Sequence, residues 1–363
     1  DGTLFVLVWT RLHRSSDGGK TFTPLTTPFK NNGDSNLAIT PDGVLHYVGM
    51  TLAGQAGEPR LPYFRSTDKG DTWSQAKDLT KGVNNVDRQF ITYGDGILAL
   101  TWNDITADEN LARVSSDLGK TWSEPARIMG PRAKWVGASA IHGDTILQPL
   151  NLHARIDLAR SLDAGTTWTI LPGPSIGGTA RFMPQMAFDA AGIAYLAAVV
   201  ARDNAPRVQV WASADEGTTW SAPVDLHGPK SHGVFPWIVA GAAGSVAVSF
   251  YERDVTNGPA NAPWYPYVAV THAADVGAGW TGKRVVADAI RTRDICSGDQ
   301  CPQDQWNFKD LFEMGLTKEG RPFLAWMKEV VTPGTPLPVV GGQPTSALSM
   351  QASVATDGWR AAG

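Results

Sequence analysis

Cysteine is nearly absent: the 363-residue chain holds two, Cys296 and Cys301, set in a stretch rich in Gly, Asp and Gln. No second cysteine pair or nearby histidine completes a ligand set with them, which argues against a zinc or redox role. A local disulfide is the expectation instead, and it suits an exported protein. Charge is sparse too. Asp, Glu, Lys and Arg make up 18% of the chain and the formal net charge is only −4, so no electrostatic footprint for nucleic acid exists. No apolar run reaches the ~18 residues of a membrane-spanning helix. The first residues, Asp1-Gly2-Thr3-Leu4, carry no basic start or leader-cleavage pattern. Seven histidines are scattered without H-E-x-x-H or paired spacing, and phosphate-cradling loops, dinucleotide fingerprints and nucleophile elbows are missing. No cofactor is therefore expected.

What the chain does have is turns and a repeat. Glycine and proline number 38 and 24, as befits many short strands. The frame S-x-D-x-G-x-T-(W/F) occurs at Ser15–Phe22, Ser66–Trp73, Ser115–Trp122, Ser161–Trp168 and Ser213–Trp220, with a worn copy at Ala273–Trp280. Its period of about fifty residues marks a repeat architecture. The chemistry is that of a turn: Ser and Asp oxygens accept backbone N–H groups, Gly supplies a positive φ, and the aromatic ring plugs the turn into the core. Asp17, Asp68, Asp117, Asp163 and Asp215 are therefore read as scaffold rather than catalysis. The frame resembles the Asp-box, or BNR repeat, of sialidase-like β-propellers. That resemblance implies an all-β propeller of four-stranded antiparallel blades over residues 1–363, with each box joining the third and fourth strands.

A second recurrence sets the blade count. Asp1-Gly2, Asp42-Gly43, Asp95-Gly96, Gly143-Asp144, Ala191-Gly192, Ala243-Gly244 and Glu319-Gly320 each precede a short apolar stretch, as hairpin turns between a first and a second strand do. These turns give seven blades as the expectation, with six, the sialidase number, as the alternative. Unit one opens directly at its turn. Either residues precede Asp1 or the first blade is incomplete.

Antiparallel strands put the boxes and the Gly turns on one face. The long connections, such as Asn103–Arg113, Asn151–Leu158, Arg253–Tyr267 and Arg291–Glu313, gather on the other, where function concentrates on a rigid scaffold. At the strand ends of that loop face stand Asp87 with Arg88, Trp135, Arg181, His232 with Trp237, Tyr251 with Glu252, and Asp310. Aromatic faces cover pyranose rings and Arg grips carboxylates. Glu252, Tyr251 and Asp87 are the catalytic candidates, while Arg88, Arg181, His232, Trp237, Trp135 and Asp310 would bind substrate. Tyr251, Glu252, Arg181 and His232 are expected to border one pocket, walled by Trp237 or Trp135. The plain alternative for Glu252 is an ion pair with a nearby arginine.

The resemblance implies a secreted protein acting on a glycan, most simply a glycoside hydrolase. The Arg-Ile-Pro strand of sialidases has no counterpart. Two other functions stay open: elimination on a uronic-acid polymer, with His or Tyr as base beside Arg, and glycan or protein binding without catalysis.

Overall fold

A computed structural model describes residues 2–8, 11–28, 34–51, 60–80, 83, 85–203, 205–256, 262–272, 279–291, 295, 313–317, 320–330, 339–340, 343–344 and 347–354. Cys296, Cys301 and Asp310 lie outside these residues, as does most of the worn sixth frame. Every element is a β-strand and all pairings are antiparallel, in six blades around one axis. Five are complete. Blade 1 runs from Ser35–Ile39 to Lys77–Asp78, blade 2 from Val86–Gly94 to Ala126–Met129, and blade 3 from Trp135–Val136 to Thr169–Pro172. Blade 4 runs from Thr179–Phe188 to Val224–Asp225, and blade 5 from Ser231–Ala240 to Thr281–Arg284. In each, the strands lie side by side in sequence order.

The closing sector draws on both halves of the chain. One three-stranded sheet holds Leu4–Val8, Arg11–Ser15 and Thr23–Pro24; another holds Glu313–Leu316, Pro322–Val330 and Ala347–Val354. They share no backbone pairing. Leu4, Val6 and Phe22 pack on Phe323 and Ala325, with the Phe22 and Phe323 rings 6.2 Å apart. This corrects the expected seven blades to six. Gly2 precedes the first strand of one partial sheet and Gly320 joins the first two strands of the other, so counting every Gly turn as a blade counts the closing sector twice.

The recurring frame folds the same way each time. At the fourth copy Ser161 Oγ donates to Asp163 Oδ1 and accepts the Gly165 N–H, both at 2.8 Å. Asp163 in turn accepts the Thr167 N–H at 2.8 Å and its hydroxyl at 2.7 Å. The bonds recur at Asp17, Asp68, Asp117 and Asp215. Only glycine tolerates the fifth position easily: Gly119 has φ 76°, and a Cβ there would stand 1.8 Å from the Tyr63 hydroxyl. The frame aromatics are half-buried rather than sealed plugs; Trp168 sits across the edge of its turn, donating Nε1–H to Gly165 O at 3.1 Å. The sealed tryptophans lie outside the frame: Trp102 and Trp211 on strands, and Trp264 at an isolated bridge to Arg291.

These turns make acid tolerance a property of the ring. Hydrogen bonds from Thr and Ser hold Asp68, Asp117, Asp163 and Asp215 at about 2, below the ordinary 3.8. A carboxylate depressed in the folded state stabilises fully above its unfolded value and loses that contribution as pH falls toward the folded one. The melting temperature is therefore expected to drop between pH 4 and pH 2, and less steeply in Asp163→Asn. Parallel melting curves of the two proteins across that window would refute the assignment.

Polar side chains link neighbouring blades where the inner strands approach the axis. Asn36 Oδ1 accepts the Ile91 N–H at 2.8 Å, Asn103 Nδ2 donates to Lys134 O at 3.1 Å, and Asn151 Nδ2 donates to Phe182 O at 2.6 Å. Such bonds satisfy inner-strand groups that no partner strand reaches.

Candidate active site

At the loop face the inner strands do not run straight. Their pairing slips between Asp87 and Phe90 in blade 2, between Arg181 and Gln185 in blade 4, and between Val234 and Trp237 in blade 5. Within each slip one residue takes left-handed backbone: Arg88 at φ 55°, Phe182 at 54° and Phe235 at 55°. The inner strand of blade 3 is interrupted at the same level, between Val136 and Ala140. Bulges bend a strand and re-aim a side chain, and left-handed backbone in bulky residues is unusual enough to mark a site.

The re-aimed side chains form an arc over four blades. The Arg88 guanidinium lies 4.3 Å over the Trp135 ring. Trp135 meets Phe182 edge-on at 5.8 Å, and Phe182 meets Phe235 at 4.6 Å. Asp87, half-exposed, accepts the Arg88 N–H at 2.9 Å and stands 3.7 Å from its Nε. Three of the candidate residues, Asp87, Arg88 and Trp135, thus lie together. Phe235 joins them without having been singled out, because nothing short of the bulge distinguishes it from a core phenylalanine. Beyond the bulges the inner strands line an axial cavity of about 440 Å³, where half-buried Trp237 stands among Asn36, Ser139, Gln185 and Glu313.

Tyr251 and Glu252 part company. On Val246–Asp254, Val246, Val248 and Phe250 face blade 4, packing with Val208 and Val210, whereas Ala247 and Tyr251 face the closing sector with Trp264 and Trp326. Strand alternation carries Glu252 to the blade 4 side. His232 pairs across with Arg253 and so falls on the Tyr251 side, where Arg253 lies 4.5 Å over Trp264. Arg181 stands on the inner strand of blade 4, opposite Val199, and Glu252 pairs with Arg284 instead. The expected four-residue pocket is therefore divided by its own strand: adjacent residues of a β-strand cannot share a face.

The Glu252 niche has its own chemistry. Arg284 Nε donates to Glu252 Oε2 at 3.1 Å, and the same guanidinium stacks 3.9 Å over Tyr265. Glu252 is buried, its side chain 8% exposed, against 39% for Arg284. Burial pushes the Glu252 carboxyl up from 4.5, with Asp254 adding to the rise; Arg284 and Ser231 offset only part of it. Two residues on, exposed Asp254 is held below 3.8 by the side chain and backbone of Thr256. Behind Glu252 lies His227, lowered to about 4 by burial. It accepts the Val208 N–H on Nε2 at 2.9 Å, so its Nδ1–H points to Ser231 Oγ, also at 2.9 Å. Gly233, directly opposite Glu252, leaves the room: a Cβ there would come within 2.9 Å of His227 Nε2. Sequence reasoning passed over Arg284 and Tyr265, since neither sits in a motif.

Among the described residues no three metal-ligating side chains converge, and no helix is long and apolar enough to cross a membrane. Fold and site together define a six-bladed β-propeller with aromatic, arginine and carboxyl groups on its loop face. No protein-family profile matches the chain. A xyloglucanase from a Paenibacillus species is 24% identical over 280 residues, which is 74% of this chain but 23% of that enzyme. Among solved structures, an α-L-arabinofuranosidase of Fusarium graminearum superposes with a TM-score of 0.52 at 13% identity, covering 88% of this chain and 92% of its own. An ulvan lyase, a polysaccharide lyase, gives 0.52 at 12% identity over 87% and 83%. The two structural likenesses are likenesses of fold.

Proposed function

We propose that this chain is a secreted, carbohydrate-active propeller that hydrolyses a glycosidic bond on its loop face, its recurring turn being the Asp-box of sialidase-like propellers. One observation carries the reaction: Glu252 and Asp254 share one face of one strand, and their surroundings push their proton affinities in opposite directions. Paired carboxyls separated in this way are what acid and base roles require. Two residues along a strand span roughly 7 Å, comparable with the ~5–9.5 Å between the carboxyls of glycosidases. Glu252 gives its proton to the glycosidic oxygen as the bond to the anomeric carbon breaks. Asp254 accepts a proton from the water whose oxygen bonds that carbon. Arg88 and Trp135, with Asp87 beside them, offer a platform for further sugar units toward the axis. The polysaccharide-directed names among the similar proteins support the substrate class.

A second reading, glycan binding without catalysis, is favoured by the Glu252–Arg284 ion pair. Incubation with xyloglucan, arabino-oligosaccharides and sialylated glycans separates the two. Hydrolysis predicts new reducing ends from at least one, with the anomeric configuration of the first product read by NMR. Binding to any of these glycans with no cleavage overturns hydrolysis in favour of the second reading, and failure to bind or cleave any of them overturns both.

A further inference from the structure

We infer that Arg284 anchors an anionic substituent, a carboxylate or a sulfate ester, on the glycan that occupies the Glu252 niche. The inference rests on that niche being the glycan site. Arg284 is held on two sides. Its Nε is bound by Glu252 Oε2 at 3.1 Å and one face of its guanidinium lies on Tyr265 at 3.9 Å. A planar fork fixed in this way loses little freedom when it grips a second partner, and its geometry suits a bidentate oxyanion. The two Nη groups make no hydrogen bond among the described residues, and the side chain is 39% exposed.

A second cation stands near Arg284. Thr256 chiefly holds the Asp254 carboxyl below its ordinary value, and Arg284 and Lys230 add to it, so two cations flank that carboxylate at the exposed side of the niche. The Glu252 charge is offset by its pairing with Arg284 through Oε2, which weakens its repulsion of an incoming anion. Phe250 and Tyr267, 4.9 Å apart, back the niche on the face that carries Glu252 and Tyr265, giving the guanidinium a firm wall. Arg284 stands on the outermost strand of blade 5, apart from the arginine–aromatic arc near the axis.

The test uses three oligosaccharides of one backbone: a uronate-bearing form, its carboxyl-reduced neutral counterpart and a sulfate ester. Binding is measured by calorimetry and turnover by reducing ends, for the wild type, Arg284→Lys and Tyr265→Leu. The wild type is expected to prefer an anionic form over the neutral one by about tenfold or more, as a charge-assisted bidentate contact provides. Whether uronate or sulfate ranks first identifies the substituent. Arg284→Lys keeps the charge but loses the fork, and should bring the ratio to within about twofold; Tyr265→Leu should fall between. Because the ratio is compared within each protein, a general loss of rate from disturbing Glu252 cancels. Equal handling of anionic and neutral forms by the wild type, or a preference that survives Arg284→Lys, overturns the inference. Anionic preference in binding without any turnover sinks hydrolysis and leaves the subsite; turnover without preference does the reverse.

Discussion

Replacing Glu252 with Gln is expected to slow glycoside turnover by ~10²-fold or more while leaving the melting temperature within about a degree. The size is that of a lost general acid. The substitution keeps the shape of a buried side chain and still gives Arg284 an oxygen to bind. Removing a carboxyl whose proton affinity is raised costs the fold little. Such a group favours the folded state at low pH, and the contribution fades as pH climbs from 4.5 through the raised value. At neutral pH the Gln variant should therefore be no less stable than the parent. Glycosides with good leaving groups need little protonation, so the deficit should shrink sharply for an activated aryl glycoside. The alkaline limb of the wild-type pH profile should also vanish in the variant. An unchanged rate on natural glycans would remove the acid role from Glu252.

The largest effect on stability is expected at Trp211, not at the tryptophans of the recurring turn. Trp211 is 0% exposed, opposite Leu196 on its strand, and packs with Leu147, Leu158 and Met186 between blades 3 and 4. Truncation to Ala removes that contact area and leaves a hole the two sheets cannot close, a loss of about 3–5 kcal/mol. For a ring of this size the loss corresponds to a fall of about 5 °C in melting temperature. Trp168→Ala should cost roughly half as much, because its ring is half-buried and stays wet along one edge. A Trp211→Ala shift below one degree, or a Trp168→Ala shift exceeding it, would invert the assignment of the core.

Periodic features proved readable and unique ones did not. The frame from Ser161 to Trp168 announces its turn because the Ser161 and Asp163 side chains bond within eight residues, so local sequence determines local structure. The blade count failed because a Gly turn does not equate with one blade: the closing sector holds two partial sheets and two such turns, at Gly2 and Gly320. Asp87, Arg88 and Trp135 were found together since they enter neighbouring inner strands at one level. Tyr251 and Glu252 were grouped because they touch in sequence, where a period of two should have set them apart. Arg284 reaches Glu252 across two intervening strand pairings, through Tyr265 and Tyr267, a distance that no single-sequence pattern encodes.

The tip of Val246–Asp254 has a consequence for how such a ring diversifies. One residue feeds the cleft toward blade 4 and the next feeds the cleft toward the closing sector. Each cleft thus borrows from two blades, and each blade lends to two clefts. A substitution at Tyr251 alters the aromatic side and leaves the carboxyl side chemically intact, provided the strand stays straight. A one-residue insertion in the same strand exchanges the two inventories at once. Point changes here are private to one cleft, and length changes are shared by both.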